Sequence, residues 1–166
     1  MPNGITQKVK ERKKKILELL TDGCKTTAYI MNSLNLTHTE AFYTLKTLQK
    51  EGYISGLLVG KTAIWCLNNE HLNQLLNTML RAIRRIVESH NLRYVYPTRL
   101  YKLVIKDPEA YRILSQYVPL YSNSGSVRAF LNYLLSLLYG SPYYRGEKIV
   151  YSVFGHVETQ KPQSLT

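Results

Sequence analysis

The sequence predicts a mainly α-helical protein with one small β-hairpin, built as two unlike parts. Three observations carry this. Apolar residues recur at helical spacing along most of the chain. Two short strand-like runs flank Gly60, Lys61 and Thr62. Charge and tyrosine are unevenly spread: residues 1–66 and 81–112 each carry a net +5, residues 67–80 carry only Glu70, and eleven of the 14 tyrosines follow residue 90.

The chain has 166 residues, of which 45% are hydrophobic and 20% charged, enough to bury a core. Lys and Arg number 22 against 11 Asp and Glu. An excess of +11 favours a polyanionic partner, because each basic contact to a phosphate releases condensed counterions. No apolar run reaches the ~18 residues of a membrane span, and the first fifteen residues lack a signal-peptide core. A cytoplasmic protein without a membrane partner is therefore expected. Cys24 and Cys66 are too few for a disulfide framework and are expected to be buried free thiols.

Residues 8–20 repeat Val9, Ile16, Leu17 and Leu20 at helical spacing, with Arg12, Lys13, Lys14 and Lys15 on the first turns. Gly23 suits the position past a helix end. Thr26 or Thr27 can cap a second helix to Leu34 that buries Ile30, Met31 and Leu34. Thr37, with Glu40 three residues on, fits a capping box and starts a third helix to about Lys50. Its inner face carries Ala41, Leu45 and Leu48, and Gly52 stops it. Runs at 53–59 and 63–67 complete the hairpin.

Helix, helix, helix, ribbon in under seventy residues resembles the winged helix-turn-helix family, in particular the compact MarR and ArsR regulators of archaea. The likeness rests on residues 36–54, LTHTEAFYTLKTLQKEGYI: a polar cap, a small core residue, two leucines at helical spacing and a Gly–aromatic–Ile exit into the wing. It covers residues 8–68. The resemblance implies duplex DNA as partner, with the third helix in the major groove. Matched position by position, the groove-facing residues are Thr37, His38, Thr39, Phe42, Tyr43 and Lys46, with Lys50 on phosphate. Many such regulators carry arginine in this helix; this sequence has none. Lys61 takes the place of the family's basic wing tip, and Arg12, Lys13, Lys14 and Lys15 add phosphate contacts.

From Asn68-Asn69-Glu70 a long helix is expected to about His90, its apolar stripe formed by Leu72, Leu75, Leu76, Met79, Leu80, Ile83, Ile86 and Val87. In winged-helix regulators the helix after the wing often pairs two subunits, which implies a homodimer through residues 69–91. Packing on the chain's own domains is the other reading. Beyond it, Pro97 and the pair Asp107, Pro108 mark helices near 98–106 and 108–117. A strongly apolar helix follows over 127–139, then a strand over 148–154 and a polar tail. The expected domains are 1–68, 69–91 and 92–155, with a flexible tail at 156–166. The second half echoes the first: Ala41-Phe42 to Gly52 matches Ala129-Phe130 to Gly140, and Ala28-Tyr29 matches Ala110-Tyr111. It is either a degenerate second winged helix or a helical domain whose apolar helix is core or a docking surface for a larger machine.

An alternative partner is RNA or the ribosome. Arg81, Arg84, Arg85, Arg93, Arg99 and Lys102 lie among Tyr94, Tyr96 and Tyr101, a composition used to stack on unpaired bases and grip phosphates. Core packing is the competing use of those tyrosines. Other signals fail. GLLVGKT at 56–62 has one residue too few between its glycines for a P-loop and continues as a strand. The four histidines are scattered, without a ligand pair at metal spacing. No nucleophile constellation occurs, so a non-enzyme without metal or cofactor is expected.

Overall fold

The structure, a computed structural model, describes residues 2–154, with side chains from residue 6. The expected tail at 156–166 lies outside the described residues. The protein is mainly α-helical with small antiparallel sheets, and it divides into two compact units at Leu76 and Asn77.

In the first unit, helix α1 (Pro2–Leu20) buries Ile16 and Leu20. A two-residue strand β1 (Lys25–Thr26) leads into α2 (Thr27–Leu34), where the Thr26 hydroxyl accepts the Tyr29 amide. Asn35 ends α2 in the left-handed region, at φ 53°. Helix α3 (His38–Lys50) opens on a complete capping box: Thr37 Oγ1 accepts the Glu40 amide at 3.1 Å, and Glu40 Oε1 accepts the Thr37 amide at 2.9 Å. Gly52, at φ +86°, stops it. Strands β2 (Ser55–Val59) and β3 (Thr62–Cys66) pair around the turn at Gly60 and Lys61, giving the order β1-β3-β2.

Ile16, Leu20, Ile30, Leu45, Leu48, Ile54 and Trp65 form the core of this unit. The buried Trp65 indole donates to Thr27 Oγ1 at 2.8 Å, so its one polar group is satisfied. Gly56 is required opposite it, because a Cβ there would stand 2.5 Å from Trp65 Cζ3.

The cysteines correct an expectation. Cys24 and Cys66 are joined in a disulfide, not free thiols. Lys25 pairs with Trp65 in the antiparallel ladder, so one step further along the register sets Cys24 opposite Cys66. The two-residue β1 is too short to show a period, and without it the cysteines have no reason to meet.

Helix α4 (Asn69–Ser89) gives its first turns to the first unit and the rest to the second. The second unit continues with β4 (Tyr94–Val95), α5 (Pro97–Lys106), α6 (Pro108–Leu114), α7 (Gly125–Tyr139), β5 (Tyr143–Arg145) and β6 (Lys148–Ser152). Met79, Ile83, Ile86 and Val87 of the α4 stripe are buried within this chain. Self-packing therefore takes that half of the stripe, and a dimer through residues 69–91 would have only its half-buried leucines to use. Likewise Val127, Phe130, Leu131, Leu134 and Leu135 of α7 are buried core and do not present a docking face.

The second sheet runs β4-β6-β5, with the same pairing logic as β1-β3-β2. A shift of 86 positions carries β3 onto β6 and Gly60 onto Gly146, both at positive φ in the hairpin turn. It also carries the buried Ala41, Thr44, Leu45 and Leu48 of α3 onto the buried Val127, Phe130, Leu131 and Leu134 of α7. The echo in the sequence is real, but its register is two residues out: Phe42 corresponds to Arg128, not Phe130. Ala28 and Ala110 do not correspond either, since α2 follows β1 whereas Ala110 sits in α6, one helix beyond the one that follows β4.

Candidate nucleic-acid interface

The capping box fixes where α3 begins and thus which side chains its first turns present. Thr39, Tyr43, Lys46 and Lys50 are all exposed and fall at spacings of four, three and four, one stripe of a helix. Tyr43 is 65% exposed, a large aromatic left in solvent. Thr37 is the N-cap, outside this stripe, and its hydroxyl already serves the cap.

His38 and Phe42 belong to a different arrangement. Their rings stack with centroids 5.6 Å apart and an interplanar angle of 10°. Phe42 is half-buried and meets Trp65 edge-on at 6.1 Å, while Lys46 Nζ lies 5.9 Å from the Phe42 centroid. Phe42 is thus a packing residue that carries His38 on its outer face.

The helix has two carboxylates near it, and both are turned away from the stripe. Glu40 takes Arg12 Nη2 at 3.4 Å, and Glu51 takes Lys13 Nζ at 3.0 Å. The Thr37 amide and hydroxyl hold the Glu40 carboxyl below its usual range, with Arg12 adding to the effect. The stripe therefore bears cations and no acid. These contacts separate the four residues of the basic run. Arg12 and Lys13 tie α1 to α3, while Lys14 and Lys15 are exposed. Lys61 is exposed in the turn between β2 and β3.

The arginine–tyrosine set of the second unit is divided among several tasks. Arg85 donates to Asp107 at 2.6 Å and lies 3.9 Å from Glu109, bound to the start of α6. Arg93 stands over Phe154, at 5.2 Å. Tyr94 carries Arg145 at 4.5 Å over its ring, and Tyr101 donates to the Leu120 carbonyl at 2.8 Å. Arg81 and Arg84 are exposed on α4. Only Tyr96, Arg99 and Lys102 come together, on one cavity wall. No local pattern marks their companions Arg128 and Lys148, which the fold of this unit delivers from α7 and β6.

Among the described residues, no helix is long and apolar enough to cross a membrane. No group of three or more His, Cys, Asp or Glu is placed to hold a metal ion among them.

Residues 72–152 match the family model described as PSV, transcriptional regulator domain. The match begins within α4 and ends with β6, so it covers the second unit rather than α3. No curated protein matches the chain. Among solved structures, the crystal structure of hypothetical protein PyrSV_gp04 from Pyrobaculum spherical virus is similar, with a TM-score of 0.76 and 36% sequence identity. The similarity covers 89% of this chain and 97% of that one. At that identity, over nearly the whole of both chains, the protein belongs to the family of the Pyrobaculum spherical virus protein PyrSV_gp04.

Proposed function

We propose that the protein is a transcription regulator that binds double-stranded DNA through its first unit. In this reading three helices and a wing form a winged helix-turn-helix of the MarR and ArsR kind, and α3 enters the major groove. The observation that carries it is the acid-free, solvent-exposed stripe Thr39, Tyr43, Lys46 and Lys50. A helix whose carboxylates Glu40 and Glu51 are held by cations of a neighbouring helix meets a phosphate-lined groove with less like-charge repulsion. Thr39 and Tyr43, toward its N-terminal turns, supply hydrogen-bonding tips for base edges, while Lys46 and Lys50 meet phosphates. Lys61 grips the backbone beside the groove, and Lys14 and Lys15 extend the same electrostatic field. The match of the second unit to a transcriptional regulator domain supports the regulatory role.

The test is a salt titration of the full chain with duplex DNA, single-stranded DNA and structured RNA of equal length. Duplex binding that alone survives ~200 mM salt is expected, since non-specific phosphate contact decays steeply with salt. Retention of RNA instead would overturn the reading.

A further inference from the structure

The second unit holds a cavity of about 690 Å³ where α5, α7 and the β5–β6 hairpin converge. We propose that it binds a nucleotide unit, a phosphate ester carried on a planar base. Its lining combines what such a ligand needs. Arg99, Lys102, Arg128 and Lys148 supply four cations against one carboxylate, Glu147. Pro97, Ile149 and the ring of Tyr96 supply a less polar wall. The volume falls within the ~300–1,000 Å³ of small-molecule sites.

Arg12, Lys13 and Arg85 each hold a carboxylate. None of the four in the cavity is ion-paired among the described residues. Arg128 donates to the Asn123 carbonyl at 2.6 Å, which fixes its guanidinium while leaving further N–H groups free. Lys148 lies 5.9 Å from the Tyr96 ring, and Arg145 donates to the Tyr96 hydroxyl at 3.3 Å, so the aromatic wall is held from both ends. Four like charges around one concavity repel each other until an anion joins them. Glu147 adds an acceptor suited to a sugar hydroxyl or a base amine, which bare phosphate would not use.

The internal repeat sets Arg128 of the cavity where the first unit has Phe42. Phe42 fills the corresponding position of the first unit, edge-on against Trp65. In the second unit Arg128 stands there, and Tyr151, in the place of Trp65, donates to Asn132 Oδ1 at 2.8 Å. A half-buried aromatic ring of the first unit thus has a cation as its counterpart in the second. This inference does not depend on α3 binding DNA.

Equilibrium dialysis of the full chain with each of the four ribonucleoside 5′-monophosphates, with inorganic phosphate, and with a single-stranded pentanucleotide tests it. At least one monophosphate, or the pentanucleotide, is expected to bind more tightly than phosphate. Arg99→Ala and Lys102→Ala should each weaken that binding about tenfold, the scale of a charged hydrogen bond. Among the described residues both side chains are exposed and hold no carboxylate, so the variants fold. A pentanucleotide bound in preference to every monophosphate identifies a strand as the ligand's source; the reverse identifies a free nucleotide. Binding of neither, or binding indifferent to both substitutions, overturns the proposal.

Discussion

Lys13 Nζ lies 3.0 Å from Glu51 Oε1, joining the basic helix α1 to the last turn of α3. A residue that the sequence assigns to phosphate contact is thereby committed within the fold, as is Arg12 with Glu40. Lys14 and Lys15 remain exposed, so the four basic residues are not equivalent. Lys14→Ala should reduce the salt slope of duplex binding by about one, as loss of one phosphate contact does. Lys13→Ala should leave that slope unchanged and lower stability by under ~1 kcal/mol, the scale of a surface ion pair. Equal slopes for the two variants would return Lys13 to the phosphate-binding set.

Tyr43 and Phe42 are adjacent in sequence yet opposed in use. Tyr43→Ala removes a solvent-facing ring; it should relax sequence preference among duplexes and barely move the unfolding midpoint. Phe42→Ala opens space beside Trp65 and His38. Half-buried, it should cost about 2–3 kcal/mol, below the ~3–5 kcal/mol of a fully buried Phe. Denaturant unfolding and competition binding on the two variants separate the roles. A stable Phe42→Ala protein with lost specificity would place that ring in the interface.

Much of this architecture is visible in the sequence because its signals are local. Thr37 and Glu40 announce the start of α3 three residues apart, and Gly60 announces the hairpin turn. The strands β1 and β4 are two residues each, shorter than one full alternation, so no pattern marks them. The disulfide depends on β1, whose register on β3 sets Cys24 opposite Cys66, and it cannot be read without that strand. The same limit applies to the site. The exposed stripe on α3 follows from helical spacing, whereas the pairing of Arg12 and Lys13 joins residues 28 and 38 positions apart. Arg128 and Lys148 reach Arg99 only through packing.

The Cys24–Cys66 bond closes a chain segment of 42-residue separation that contains α2, α3 and the hairpin. In the chain-entropy account, a loop of that length stabilises the fold by about 4 kcal/mol. Denaturant unfolding with and without reductant should show a loss approaching that size. Thiol titration of the denatured, unreduced protein should find no free thiol. Free thiols in that assay, or unfolding curves that coincide, would contradict a bond that holds the first unit together.

Asp107 does two things with one oxygen. Its Oδ1 accepts Arg85 Nη2 at 2.6 Å and the Ala110 amide at 2.9 Å, capping α6. The hydrogen bond from Arg85 holds the carboxyl below its ordinary range against the opposing effect of burial, with the Ala110 amide assisting. A carboxylate depressed on folding stabilises the native state above its unfolded pKa, ~3.9, and that contribution disappears as pH falls through the lower folded value. Asp107→Ala should cost about 1–2 kcal/mol at neutral pH through the lost cap. Asn also caps, so Asp107→Asn should cost less, and its deficit should shrink as pH falls below ~4. Unfolding free energies of wild type and Asp107→Asn measured from pH 7 down to pH 2.5 test this directly. A deficit that stays constant with pH would mean that the pair with Arg85 adds nothing that protonation can remove.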